Sequence, residues 1–580
     1  MSRDLEDPIE VEAKKFKNDD QIEEDLIDNE TEENLIISNE SLYGIKEKIN
    51  KNYRNFQGIL KQSPGDFIVN EIDLKGQVVK LTNFDIPESE CKIEKNPEEL
   101  ETMKNSFKDL RIKLIHDFVK QNYEQFVTNT IQKDKDNQLI EIRHAKNNNR
   151  TTGRDNFNAN SRSKDLGDKK FTICALYKEN IDTIQAVNLI AKNLRLNIKR
   201  IGYAGTKDKK AKTTQSISFF KLDPKEIVRL NKSLHNVKLG DFKTSNEGLK
   251  LGDLTGNRFK LVLREISESN DDYIREGLES LKNKGFINYF GLQRFGNSPE
   301  IPTHMIGKHV NFQFISFLIK NDIKEAIDLI LKPRSQNFEK REIKKAREVW
   351  SETKDAFKAL THIQYINCLE KFLLNGLTKS TKNDYLGAFQ FIPRNMRLMY
   401  LHAYQSYVWN EATSKRIEMY GLVPVVGDLV IKKDETNEMT IILNENNLKD
   451  YSIEDVVLPL PGYNIVYPEN KVKEYYVEIL RKDELNFDSF KNKIKDFSLG
   501  GDYRNILVKP KDMVYEILRY SDKNQILTKS DWDMINPNSE SITEQLTKDE
   551  STLKAICLEY NLPTSSYATM ALREILIESK

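Results

Sequence analysis

Residues Gly202 to Gln215 read GYAGTKDKKAKTTQ. Gly202, Ala204 and Gly205 keep the chain tight, Asp208 is the single acid, and Lys207, Lys209, Lys210 and Lys212 crowd around it. RIGYA before it and TTQSISFFK after it read as strands, so residues 202–208 form a turn between them. A lysine in a glycine loop invites a phosphate-binding reading. The Gly202 to Gly205 spacing is too short for G-x-x-x-x-G-K-[ST], however, and Asp208 follows the lysine. No G-x-G-x-x-G follows a strand, so a dinucleotide or methyl-donor fold has no signature either. Taken alone, Asp208 is a turn-former with a solvated carboxylate.

Working outward, FTICALYK (Phe171 to Lys178) reads as a strand and DTIQAVNLIAKNLRL as a helix capped by Asp182, with Ile184, Val187, Ile190, Ala191 and Leu194 on one face. GNRFKLVLREI, DDYIREGLESLKNKG and INYFGLQRFG (Ile287 to Gly296) repeat the strand, helix, strand order. Upstream, GILKQSPGDFIVNEI (Gly58 to Ile72) predicts a hairpin around a Ser-Pro-Gly-Asp turn. Pro97 to Gln132 predicts a long amphipathic helix through Leu110, Leu114, Phe118 and Phe126, and residues 146–170 a polar mobile loop. From Pro299 helical spacing takes over, over Phe314 to Leu331, Glu339 to Trp350, Ile363 to Leu374 and Asn395 to Tyr420, the last ending at Gly421. A mixed segment runs to Tyr503, and NILVKPKDMVYEILRY and LPTSSYATMALREIL return to strand and helix. Strands and helices interleave without the alternation of a doubly wound sheet, which favours an α+β class.

A chain of 580 residues is too long for one core. The expected division is a tail over 1–50, a first catalytic part over 51–313 with a flexible loop at about 145–170, an inserted domain over 314–505 and a last catalytic part over 506–580. No apolar run of membrane-spanning length or secretory h-region is seen, so the expectation is an intracellular protein that engages no membrane. Cys91, Cys174, Cys368 and Cys557 are scattered and read as buried small residues, and His304 and His309 lack a partner cluster, so no metal is expected. The net charge of zero hides an asymmetry: residues 1–40 hold 15 acids and 4 bases, leaving a basic body. Such a tail has too little apolar area to fold and is expected to be disordered, solvating the chain or screening a nucleic-acid surface.

YAGTKDKKAKTTQ resembles the signature of the TruD family of pseudouridine synthases, whose catalytic aspartate sits in a G-x-K-D loop. GILKQSPGDFIVNEI, GNRF followed by NYFGLQRFG, and LPTSSYATMALREIL match further motifs of that family in the same order. The resemblance spans Gly58 to Leu576. LYKENIDTIQAVNLIAKNLRL and HAYQSYVWNEA (His402 to Ala412) resemble its eukaryotic branch, the pseudouridine synthase seven type. It implies a mixed, largely antiparallel-sheet α+β catalytic domain interrupted by a TruD-type α/β insertion, with RNA in the cleft between them.

By that resemblance Asp208 is the nucleophile and Lys61 its basic partner. Phe67, Asn288 and Tyr567 fall on uridine-binding positions, and Phe290 on an aromatic near the target base. Arg294 and Arg573 rank lower, as structural ion-pair or phosphate partners. Gly65 stands where an acid is frequent, Ser565 where bacterial relatives have glycine, and Tyr567 where they have phenylalanine. The implied reaction breaks a uridine N-glycosidic bond and rejoins the sugar through carbon five of the same base, which needs a carboxylate and no cofactor. Attack on C1′, attack on the base and proton abstraction stay open. The base must be flipped out and stacked on the aromatics, while the lysines divide between the site and the RNA backbone. The implied partner is RNA: tRNA at uridine-13 type sites, and small nuclear and messenger RNA. No obligate protein partner is evident, and the expected compartment is the nucleus and the cytoplasm. The rival readings are a noncatalytic RNA-binding or chaperone protein on the same fold, and a nucleotide-dependent RNA-modifying transferase.

Overall fold

The computed structural model describes residues 37–86, 126–134, 137–144, 170–296, 301–312, 322–334, 339–366, 368–433, 438–492, 495–537 and 553–576. The strands begin with β1 (Ile59–Leu60) and β2 (Phe67–Ile72), then a separate hairpin of β3 (Phe126–Asp134) and β4 (Asn137–His144). Next come β5 (Phe171–Glu179), helix α1 (Thr183–Leu194), β6 (Ile201–Tyr203), β7 (Lys212–Phe220), β8 (Val237–Ser245), β9 (Gly256–Arg264), α2 (Asp271–Lys284) and β10 (Phe286–Ile287). A largely helical region follows, opening with α3 (Thr303–Phe312) and centred on α4 (Arg394–Tyr420). It continues through β11 (Leu429–Lys433), β12 (Glu438–Ile442), β13 (Val456–Leu460), α5 (Lys471–Lys482) and β14 (Asp502–Asn505). The chain ends with β15 (Leu507–Val508), β16 (Lys511–Tyr520), β17 (Leu553–Pro563) and α6 (Ala568–Leu572).

The main sheet has the order β16-β17-β9-β2-β7-β5-β8, with β1 on β9 and β6 on β7. Only β2 and β7 run parallel in it, so it is largely antiparallel, as the α+β reading expects. The segment Gly58 to Ile72 is not a hairpin. β1 and β2 both pair with β9, at Ile59–Arg264 and at Phe67–Leu261, because the turn between them keeps the chain running along the same neighbour. The predicted helix over Pro97 to Gln132 is wrong from Phe126 on. FVTNTIQKD is dense in β-branched residues and pairs antiparallel with NQLIEIRH, and that partner decides for strand. Residues 97–125 and the predicted loop at 146–169 lie outside the described residues.

Helix α1 forms as read: the Asp182 carboxylate accepts from the Gln185 amide at 2.8 Å, and Val187, Ile190, Ala191 and Leu194 pack with Ile217, Phe219 and Leu239 of the sheet. Ala186 takes the place expected of Ile184, which is half exposed. In the helical region α4 ends at Gly421, whose φ of +65° suits glycine. The predicted helix at Ile363 is displaced: Ala356–Thr361, capped by Asp355, and Leu369–Lys379 flank a turn there. Helix α3 packs along α4, and one hydrophobic core runs from the sheet into the helices.

The expected tail over 1–50 is too long. From Glu40 the chain is held against the body: Tyr43 and Ile45 are about 1 % exposed, and Tyr43 stacks on Phe295 at 5.1 Å. Asn410 Nδ2 donates to the Tyr43 carbonyl at 3.0 Å, and Arg573 Nε donates to Glu40 at 2.5 Å. Two apolar residues after the acidic run supply the anchor that composition averages away. Residues 1–36 lie outside the described residues.

Behind the turn at residues 64–66, Asp66 Oδ1 accepts from Arg264 Nε at 2.9 Å and Nη2 at 2.7 Å, both side chains being 3 % exposed or less. Asp66 Oδ2 closes the turn on the Ser63 amide at 2.8 Å. Removing one member of a buried pair leaves the other charge in a low-dielectric interior. Arg264→Met is therefore expected to lower stability by about 3–5 kcal/mol, and Asp66→Asn/Arg264→Met by less than Arg264→Met alone. Urea unfolding of the three proteins checks this; equal stability of Arg264→Met and the unsubstituted chain would show the pair to be dispensable.

Candidate active site

The acid-bearing turn is shaped by backbone contacts. A side chain on Gly202 would bring Cβ within 2.4 Å of the Leu249 carbonyl, so glycine is required there, whereas Gly205 has room. Thr183 Oγ1 accepts the Lys207 amide at 2.9 Å, and Gln215 Nε2 donates to the Gly205 carbonyl at 2.8 Å. Lys178 Nζ, from β5, donates to the carbonyls of Asp208 at 2.6 Å and Lys207 at 3.3 Å. The turn is thus tied to the sheet and to the start of α1 through its main chain, and the Asp208 side chain stays about a quarter exposed.

Lys61 comes to Asp208 from the loop between β1 and β2. Its Nζ lies 4.0 Å from Asp208 Oδ1 and 4.2 Å from the centroid of the Phe67 ring, and its side chain is 5 % exposed. Its φ of +58° is left-handed, a conformation a lysine holds only at some cost. Gln293 Nε2 donates to Asp208 Oδ1 at 3.2 Å and brings the segment after β10 to the same carboxylate.

That segment carries Asn288 and Phe290. Asn288 donates to the Asn505 carbonyl at 3.1 Å and accepts from Arg504 Nη2 at 2.9 Å. The Arg504 guanidinium lies 4.0 Å from the Phe290 ring centroid, Arg294 lies 5.5 Å from it, and Trp409 meets its edge. Burial pushes the Arg504 guanidinium down to about 9, against the pull of Tyr567. Tyr567, half-buried at the start of α6, packs against Gly291, where a Cβ would come within 2.9 Å of its ring.

All six candidate residues therefore join one network. Phe67 and Phe290 are 5 % exposed or less and each already has a cation against its ring, so Tyr567 is the more open aromatic face of the three. Arg573 is a structural ion-pair residue: it holds Glu40 and donates to the Glu47 carbonyl at 2.6 Å. Arg294 keeps its Nε buried with no hydrogen-bond partner among the described residues.

The lysines do not divide as expected. Lys207 is buried on Glu71 at 2.8 Å and Lys212 pairs with Asp533 at 2.8 Å, which leaves Lys209 and Lys210 toward solvent. Gly65 leaves the turn intact, since Ser63 and Asp66 close it and the space where its Cβ would lie faces the Lys212 stem. Ser565 has φ +64°, the left-handed backbone that suits the glycine of bacterial relatives. Gln293, Arg504 and Lys178 were not singled out from sequence. Gln293 stood inside a quoted motif, Arg504 carried no signal beyond a polar strand, and Lys178 was visible as one charge closing an apolar strand.

The protein family described as tRNA pseudouridine synthase D (TruD) matches residues 141–575. The human pseudouridylate synthase 7 homolog is 38 % identical over 553 residues, covering 91 % of this chain and 80 % of that one. The fission yeast (Schizosaccharomyces pombe) multisubstrate pseudouridine synthase 7 is 36 % identical over 431 residues, 69 % of this chain and 61 % of its own. A crystal structure of the putative TruD of Methanosarcina mazei superposes with a TM-score of 0.55 at 22 % identity, covering 92 % of this chain and 97 % of that one, a likeness of fold. Motifs, sheet and matched length agree, and the chain belongs to the TruD family of RNA pseudouridine synthases.

Proposed function

We propose that this protein isomerises uridine to pseudouridine in tRNA at uridine-13 type sites and in other RNAs, including small nuclear and messenger RNA, through the Asp208 carboxylate. The observation that carries the reading is the placement of that carboxylate: partly exposed, 4.0 Å from a buried ammonium and 3.2 Å from a side-chain amide. A carboxylate so held is aimed by groups that need not move during reaction. The name of the fission yeast relative, a multisubstrate enzyme, favours more than one RNA class.

In the net reaction the N1–C1′ bond breaks, a C5–C1′ bond forms, and the proton lost from C5 is balanced by one gained at N1. Nothing is oxidised or reduced, so the chemistry calls for no redox partner. Asp208 supplies the electron pair or takes the proton, and Lys61 stabilises its charge between steps. A flipped uridine reaches this carboxylate past Tyr567, with Asn288 and the Arg504 guanidinium beneath Phe290 as the polar floor. Lys209 and Lys210 then meet backbone phosphates, which makes binding salt-dependent. We place the protein in the nucleus and the cytoplasm, where these RNAs are made and used, as a catalyst that requires no obligate protein partner.

Asp208→Asn keeps the shape and removes the charge. It is expected to lower the rate on unmodified tRNA by at least about a thousandfold while RNA affinity stays within severalfold. Chemical mapping of pseudouridine, with no cofactor added, reads the outcome. An active variant would remove Asp208 from the chemistry; unsubstituted protein that binds RNA but leaves every uridine unchanged would favour a noncatalytic RNA-binding protein. Lys61→Met removes the charge beside the acid and is expected to cost about a hundredfold in kcat with a smaller change in KM. A large rise in KM alone would assign Lys61 to RNA binding.

A further inference from the structure

Lys178 is a charge the proposed chemistry does not use. It sits on β5 between β7 and β8, opposite Thr213 and Val237, and is 0 % exposed. Burying an ammonium is costly unless its donors are satisfied. The three N–H groups of Lys178 are matched by three backbone carbonyls: Ile181 at 2.8 Å, Asp208 at 2.6 Å and Lys207 at 3.3 Å. Ile181 leads into α1, and the other two belong to the acid-bearing turn. One ammonium thus fastens the main chain of Asp208 to the sheet through its carbonyl and leaves the carboxylate to Lys61 and Gln293.

The charges that face Lys178 are the Asp208 and Asp182 carboxylates and the Lys207 ammonium, the last paired with Glu71. We infer that Lys178 is a positioning residue for the isomerisation: its protonated amine fixes the Lys207–Asp208 main chain so that the carboxylate meets the flipped nucleotide in one orientation. The inference rests on the reading of Asp208 as the reacting acid.

It has a pH consequence with a definite sign. Burial pushes the Lys178 amine down to about 8, against the pull of Asp208 and Asp182. Only the protonated form has three donors; a neutral amine has two and turns a lone pair toward a carbonyl. The rate should therefore be full below this value and fall as pH rises through it.

The test is single-turnover kinetics on unmodified tRNA from pH 6 to 9.5, for the unsubstituted protein, Lys178→Met, Lys178→Gln and Asp208→Asn, with thermal melting and RNA affinity measured in parallel. The unsubstituted protein should show an alkaline inflection near pH 8. Lys178→Met should be about a hundredfold slower, the scale of an ångström of misplacement, with RNA affinity within about threefold and the inflection gone. Lys178→Gln should lie between them and also lack the inflection.

A Lys178→Met rate within threefold of the unsubstituted protein, or an inflection that persists in a folded Lys178 variant, would overturn the inference. An active Asp208→Asn would instead overturn the reading beneath it. If neither Lys178 variant melts cooperatively, the unsubstituted protein decides: a rate flat from pH 7 to 9 sinks the inference and an inflection near 8 supports it.

Discussion

Two residue pairs, Phe286 with Val508 and Ile287 with Leu507, close the excursion of the chain through its helical region. The Asn288 amide continues the closure onto the Ile506 carbonyl at 2.9 Å. Asn288, Phe290 and Arg504, on the base side of the site, hang from this short ladder. It sets Arg504 beside Asn288 and under Phe290, and it holds the turn from which Gln293 reaches Asp208. Apolar packing makes so short a ladder persist: Phe286, Ile287, Leu507 and Val508 all lie in the core that runs from sheet to helices.

The electrostatics follow a division of labour among buried and partly buried cations. Lys207, Lys212 and Arg573 are neutralised by Glu71, Asp533 and Glu40, and they hold loops together. Lys61, Arg294 and Arg504 lie instead against aromatic rings. A ring attracts a cation without cancelling its charge, so these three keep a positive field around the partly exposed Asp208 carboxylate. An anionic polymer is drawn to such a site.

Much of this was legible in the sequence because it is local. The Asp182 cap, the end of α4 at Gly421 and the strands on either side of the Asp208 turn are each decided within a dozen residues. The family motifs also named the six residues that the fold joins in one network. What failed depends on partners distant in sequence. Only β9, nearly two hundred residues on, shows that β1 and β2 share a neighbour rather than each other, and only β4 fixes β3 as a strand. The commitment of Lys207 to Glu71 was equally hidden, since four adjacent lysines look alike until one meets a buried carboxylate. Arg504 is the extreme case: its meaning comes entirely from a residue 216 positions earlier.

That separation governs the order in which the protein can become competent. The acid, its lysine partner and the clamp on the turn all lie between β1 and β7, with the Glu71 and Thr183 contacts that secure them. The base side waits for Arg504 and Tyr567, so a chain emerging in order holds its carboxylate long before it holds a floor for uracil. Closing so long a loop is slow relative to local pairing, even though its entropy grows only logarithmically with length. Competence therefore arrives as one late event, when the last quarter of the chain docks. Premature encounters with RNA at the half-built site find a charge with nothing to orient a base against it.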